Sequence, residues 1–165
     1  MTLSFRGSRI ASRILLHPIA LVVARLTLAA VLLYAGIHKV SHTGELARII
    51  YGYRLLHPEL VNLVAMTLPW IELLTGATLL LGLLRRSGAV VACALFGVFI
   101  LAAGLAMARG IDIPCGCFSV AATSERIGWG LIVRDVVFAL LGAYLIFVPL
   151  RFAEIDSLLD RSSSR

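Results

Sequence analysis

The chain has 165 residues, 60% of them hydrophobic and only 15% charged, with a mean hydropathy of +0.98. That apolar share excludes a soluble globular enzyme, and the scarcity of charge excludes an open, solvated coil. The formal charge of +6, from 15 Lys and Arg against 9 Asp and Glu, is read first as membrane topology, and no basic-aromatic stripe points to nucleic acid.

Four apolar stretches are long enough to cross a hydrocarbon core, which takes about 20 residues each. They run over residues 19–37, 60–84, 89–108 and 128–149. The first begins late, contains Arg25 and leads into His38 and Lys39 without a small-x-small cleavage pattern, so it is expected to be retained rather than removed as a signal peptide. An even number of spans puts both termini on one side, with Arg6, Arg9, Arg13, Arg85, Arg86 and Arg151; Lys39, Arg48, Arg54, Arg109 and Arg126 fall on the other. The short Arg85-Arg86 turn resists translocation, whereas Glu45, Glu59, Asp112 and Glu125 dilute the opposing loops. The expectation is cytoplasmic termini in a bacterial inner membrane.

In the first outer loop, Leu46, Ile49, Ile50 and Tyr53 recur at helical spacing within 45–56, which predicts a short helix along the membrane surface. The second outer loop, 109–127, is poor helix material, with Gly110, Pro114, Gly116 and a Ser/Thr cluster. Residues 154–165 read as a polar cytoplasmic tail. The predicted fold is all-α: one membrane domain over 1–165, a four-transmembrane-helix bundle with an interfacial helix in its first outer loop and cysteines in its second.

Those cysteines are the chemical centre. Cys115 and Cys117 flank Gly116 in Ile113-Pro114-Cys115-Gly116-Cys117-Phe118. Closing them makes a ring of about 11 atoms, which cannot easily reach relaxed disulfide geometry. A strained disulfide has a raised reduction potential and suits transient exchange better than permanent bracing. Gly116 supplies the backbone freedom that brings the sulfurs together, and Pro114 restricts the approach. Arg109, Arg126 and the start of the fourth span are candidates to stabilise a thiolate. Two other readings stay open: incidental loop thiols, or a soft-metal site in which Cys115 and Cys117 join outer-side histidines, His38 and His42 first, with His57 near. Cys93, inside the third span, reads as a small packing residue.

Arg25, Glu72, Arg134 and Asp135 also lie within spans, where each ionised group costs about 2.5 to 3.5 kcal/mol unless paired or hydrated. Their charges sum to zero. Counting along the helices favours a Glu72–Arg134 pair on the cysteine side, either as a packing pin or as a proton-handling site beneath the thiols. Pro69 removes a backbone donor just before Glu72, which predicts a kink and a polar pocket in the outer half. Trp70 and Trp129 read as volume fillers or interface anchors.

Gly36-Ile37-His38-Lys39, then Tyr53 and Pro58, Leu68-Pro69-Trp70-Ile71-Glu72-Leu73, and Cys115-Gly116-Cys117-Phe118 with Arg134 downstream together resemble the MauE/DoxX family of membrane proteins. The likeness covers roughly 25–145, with Ser119 where the MauE pattern usually has Gly. It implies a four-helix inner-membrane bundle serving periplasmic redox maturation, in the named case that of methylamine dehydrogenase. It matches Cys115 and Cys117 to the family's cysteine pair, and Lys39, Glu72 and Arg134 to its recurring polar positions. The expected mechanism is thiol-disulfide exchange with a periplasmic thioredoxin-like protein on behalf of a disulfide-containing client, with a quinone as a candidate electron partner and the lipid bilayer as solvent. A non-catalytic assembly factor is the further alternative.

Overall fold

The computed structural model describes residues 18–111 and 128–148. Five helices follow in order: α1 (Pro18–Ser41), α2 (Thr43–Gly52), α3 (Pro58–Leu81), α4 (Arg85–Ala108) and α5 (Trp129–Phe147). No strand occurs among the described residues. Helices α1, α3 and α4 each have 24 residues and α5 has 19. At about 1.5 Å per residue, all four long helices are commensurate with a hydrocarbon core of about 30 Å. They are apolar enough to cross one, and the chain is a multi-pass membrane protein.

The side-chain distribution fits lipid as solvent. Large apolar groups such as Met66, Leu101 and Leu140 point outward, where acyl chains solvate them. Small ones fill the interior: Ala29, Ala89, Ala92, Ala103 and Ala106 are fully buried. Between helices in lipid there is no hydrophobic driving force, so close backbone approach and van der Waals packing hold the bundle. Helix α1 packs most extensively on α3, and α4 on α5; α3–α4 and α1–α5 contacts close the ring.

Two glycines set the first of these pairings. A Cβ on Gly36 of α1 would lie 2.8 Å from Leu73 Cγ and 3.1 Å from the Pro69 carbonyl oxygen on α3. A Cβ on Gly76 of α3 would lie 2.8 Å from Leu33 Cγ and 3.1 Å from the Ala29 oxygen on α1. In the second pairing, Gly142 of α5 admits Cys93 of α4, whose Sγ lies 3.4 Å from the Ala139 oxygen. Cys93 is thus the packing residue expected from its place in the span. Trp70 and Trp129 are exposed on the outside of the bundle and fill no interior volume.

The helix ends depart from the apolar stretches in two informative places. Helix α1 runs past Ile37 to Ser41, which carries Lys39 inside the bundle. Helix α4 starts at Arg85, ahead of the apolar stretch that begins at Ala89. The Arg85 side chain is buried and its Nη1 donates to the Val148 carbonyl at 3.0 Å, so of the two arginines expected in a turn only Arg86 is exposed. The α3–α4 connection is tight because Gly82 adopts φ 71°, the left-handed conformation that glycine takes without a Cβ penalty. Helix α2 begins and ends before the expected 45–56 stretch does. Its apolar face turns inward: Leu46 packs against Ala65 of α3, and Tyr53, just past its end, is buried.

Candidate functional site

Among the described residues, charge concentrates in this apolar interior where α1 meets α3. Gly36 lets α1 approach the antiparallel α3 at Pro69 and Leu73, the stretch that carries Glu72, within reach of Lys39 one turn beyond Gly36 on α1. Lys39 Nζ there donates to Glu72 Oε1 in an ion pair whose side chains are 1% and 0% exposed. The ammonium also lies 4.9 Å from the centroid of the Phe99 ring of α4, within cation–π range. Glu72 Oε2 is buried and has no hydrogen-bond partner among the described residues. Helix α5 adds Asp135, fully buried, whose Oδ1 accepts from Arg134 Nε at 3.2 Å and Nη2 at 3.1 Å.

The sequence-based expectation of a Glu72–Arg134 pair is therefore corrected: Glu72 pairs with Lys39, and Arg134 donates to the adjacent Asp135. Hydropathy ends the first span at Ile37, which puts Lys39 in a loop; the helix continues one turn because the lysine finds its counter-charge inside. Lys39, Glu72, Arg134 and Asp135 now make the neutral set, which satisfies the electrostatic demand of a low-dielectric interior. Arg25 does not join them. It lies against Gly82, toward the other end of the bundle.

Tyr53 borders the same region from the α2–α3 connection. Burial, reinforced by the negative charge of Asp135, pushes its phenol up to about 12. Lys39 and Tyr53 are the polar members of an otherwise apolar cavity of about 190 Å³, walled by Leu46, Leu68, Val98 and Phe99 among others. The polar pocket expected beside Pro69 is thus a mostly greasy one, with one ammonium and one phenol in its wall. Leu56 and Val98 in this lining are exposed on the bundle's exterior.

Pro114, Cys115, Gly116, Cys117 and Arg126 lie outside the described residues. The chain leaves the described bundle at Ile111, after a left-handed Gly110 with φ 66°, and re-enters it at Gly128. Arg109, at the end of α4, donates from Nη1 to the Arg54 carbonyl at 3.2 Å, which ties the α2–α3 connection to the base of the cysteine loop. Of the histidines, His38 is half-buried with its ring 4.6 Å from that of Tyr34, and His42 is exposed with Nδ1 3.1 Å from the His38 oxygen. Among the described residues no group of three or more His, Cys, Asp and Glu side chains comes together to hold a metal.

The family model described as methylamine utilisation protein MauE matches residues 17–148. The chain belongs to the MauE family. It is 35% identical over 140 residues to methylamine utilization protein MauE of Methylophilus methylotrophus, covering 84% of this chain and 74% of that protein. It is 31% identical over 124 residues to MauE of Paracoccus denitrificans, covering 74% and 66% respectively, and 33% identical over 126 residues to MauE of Paracoccus versutus, covering 76% and 67%. No solved structure matches the chain. The matched MauE region contains all four members of the buried charge cluster, the cavity and the cysteine loop.

Proposed function

We propose that this MauE-family protein serves methylamine utilisation as a thiol-disulfide exchange component of the bacterial inner membrane, with cytoplasmic termini and a periplasmic cysteine loop. Its partner is a thioredoxin-like protein, and its client a disulfide-containing periplasmic protein such as methylamine dehydrogenase. The observation that carries this reading is the attachment of the Cys115-Gly116-Cys117 loop, between Ile111 and Gly128, to the half of α4 and α5 that borders the buried charge cluster.

In the exchange, a thiolate of the pair attacks a partner disulfide and forms a mixed disulfide, releasing one partner thiolate. The second cysteine then attacks the mixed disulfide, closing Cys115–Cys117 and releasing the partner as a dithiol. Two electrons and two protons pass to the partner, and the reverse sequence passes them back. Lys39, Glu72 and Asp135 act as positioning and proton-handling groups below the loop. Glu72 is the foremost of them, since its second oxygen is open to accept a proton.

Single variants Cys115→Ser and Cys117→Ser test the reading directly. Each is expected to abolish methylamine-dependent growth, and one of them to trap a covalent adduct with a thioredoxin-fold protein. Growth retained without any adduct overturns exchange. Partner co-purification and growth that both survive the double serine variant would make the protein an assembly factor instead. Stoichiometric metal, lost on changing His38 or His42, would make it a soft-metal protein.

A further inference from the structure

We propose that the cavity beside Lys39 binds the ring of a membrane quinone, a neutral lipophile with carbonyl oxygens; its redox use rests on the exchange reading above, while its binding does not. The cavity's volume of about 190 Å³ exceeds the roughly 150 Å³ that admits benzene in an apolar protein interior. It holds a substituted six-membered ring and is too small for a whole lipid. Leu56 and Val98 carry its lining out to the bundle's exterior, so a ring enters from the acyl-chain layer and its tail stays there.

Charge selects among lipophiles. An isolated buried lysine would attract a carboxylate or phosphate, but Lys39 is already paired with Glu72, and the nearby Asp135 and Arg134 are paired with each other, which leaves the four charges balanced. An anionic headgroup therefore meets surroundings already neutralised, and gains little for its desolvation. A neutral carbonyl oxygen meets no such penalty. The ammonium has three N–H donors, of which Glu72 Oε1 takes one, and a charge-assisted bond to a carbonyl is the interaction left to it. The Phe99 ring, held under the same ammonium, gives the pocket a flat aromatic wall. When the cysteine pair is the donor, two thiols become one disulfide, and the two electrons and two protons released convert the bound quinone to hydroquinone.

Equilibrium binding of radiolabelled decylubiquinone to the full chain in nanodiscs tests the site. The result expected is saturable binding of one quinone per chain, resisted neither by decylbenzene nor by phosphatidylglycerol at matched concentration. Val98→Trp, at the exposed rim where folding is insensitive to bulk, is expected to weaken binding by about tenfold or more, as is Ala102→Phe within the cavity. The double variant Lys39→Met/Glu72→Leu is expected to lose a similar factor through the missing carbonyl contact. Non-saturable partition, displacement by decylbenzene or by phosphatidylglycerol, or unchanged affinity in Val98→Trp overturns the proposal. The variant with Cys115→Ser and Cys117→Ser is expected to bind quinone as the unaltered chain does. Loss of quinone binding with trapped adducts intact overturns this inference alone, and quinone binding without any adduct overturns only the exchange reading.

Discussion

Lys39 and Glu72, 33 positions apart in the chain, meet inside the bundle because Gly36 brings α1 against the stretch of antiparallel α3 from Pro69 to Leu73 that carries Glu72. The pair is a product of helix register.

Removing one partner strands the other in a medium that solvates charge poorly. Lys39→Met or Glu72→Leu alone is expected to destabilise the protein by about 3 to 5 kcal/mol, whereas the double variant, which replaces an ion pair by packed apolar groups, is expected to cost far less than the sum. Unfolding of the four proteins of this cycle in mixed detergent micelles checks it. Additive losses would show that the two residues are not coupled.

Gly36→Ala places a methyl 2.8 Å from Leu73 Cγ and 3.1 Å from a backbone oxygen. The backbone cannot yield cheaply, so a loss of about 1 to 3 kcal/mol is expected. Gly97, whose added Cβ would meet nothing within 4 Å, is the matched control: Gly97→Ala is expected to be neutral or stabilising by up to about 1 kcal/mol through helix propensity. Thermal unfolding in one detergent compares the two.

Arg85 and Arg86 are adjacent but have different surroundings. Arg85→Met removes a charged donor from the Val148 carbonyl and is expected to cost about 1.5 to 3 kcal/mol. Arg86→Met, at an exposed position, is expected to stay within about 0.5 kcal/mol. Equal effects in a denaturant series would contradict the assignment of Arg85 to the helix interface.

Tyr53 predicts an alkaline limit. Its phenol ionises near pH 10 in an unfolded chain and at about 12 in the folded one, so between those values the unfolded state has released a proton that the native state still holds. Stability is therefore unaffected by Tyr53 below about pH 10 and falls as pH rises from there to about 12. Absorbance at the phenolate band should show a component titrating near 12 that Tyr53→Phe abolishes, and the variant should lose less stability over the same window.

Much of the fold was legible from hydropathy alone, because an apolar run of about 20 residues has few ways to satisfy its backbone except as a spanning helix. The short helix was legible from the spacing of Leu46, Ile49, Ile50 and Tyr53, although periodicity shows only that these residues share a face. That face meets α3 rather than lying open. The polar pairing was misread for the same reason that the spans were found: a hydropathy window ends a helix at Lys39 and Arg85, and cannot see the carboxylate or carbonyl that lets a cation stay inside. Register between helices is set by side-chain volume at Gly36 and Gly76, which no count along one helix reveals. Lys39 and Glu72 entered as separate polar positions through the family resemblance, and only the packing joins them.

The arrangement of contacts has a mechanical side. Lys39 and Glu72 belong to the α1–α3 hairpin, while Phe99, Arg134 and Asp135 belong to the α4–α5 hairpin, so the charged residues straddle the seam between two tightly zipped halves. Sliding one half past the other would leave both ion pairs intact and would part the Lys39 ammonium from the Phe99 ring. That cation–π contact therefore acts as a tether between the two hairpins, set in the wall of the cavity they enclose.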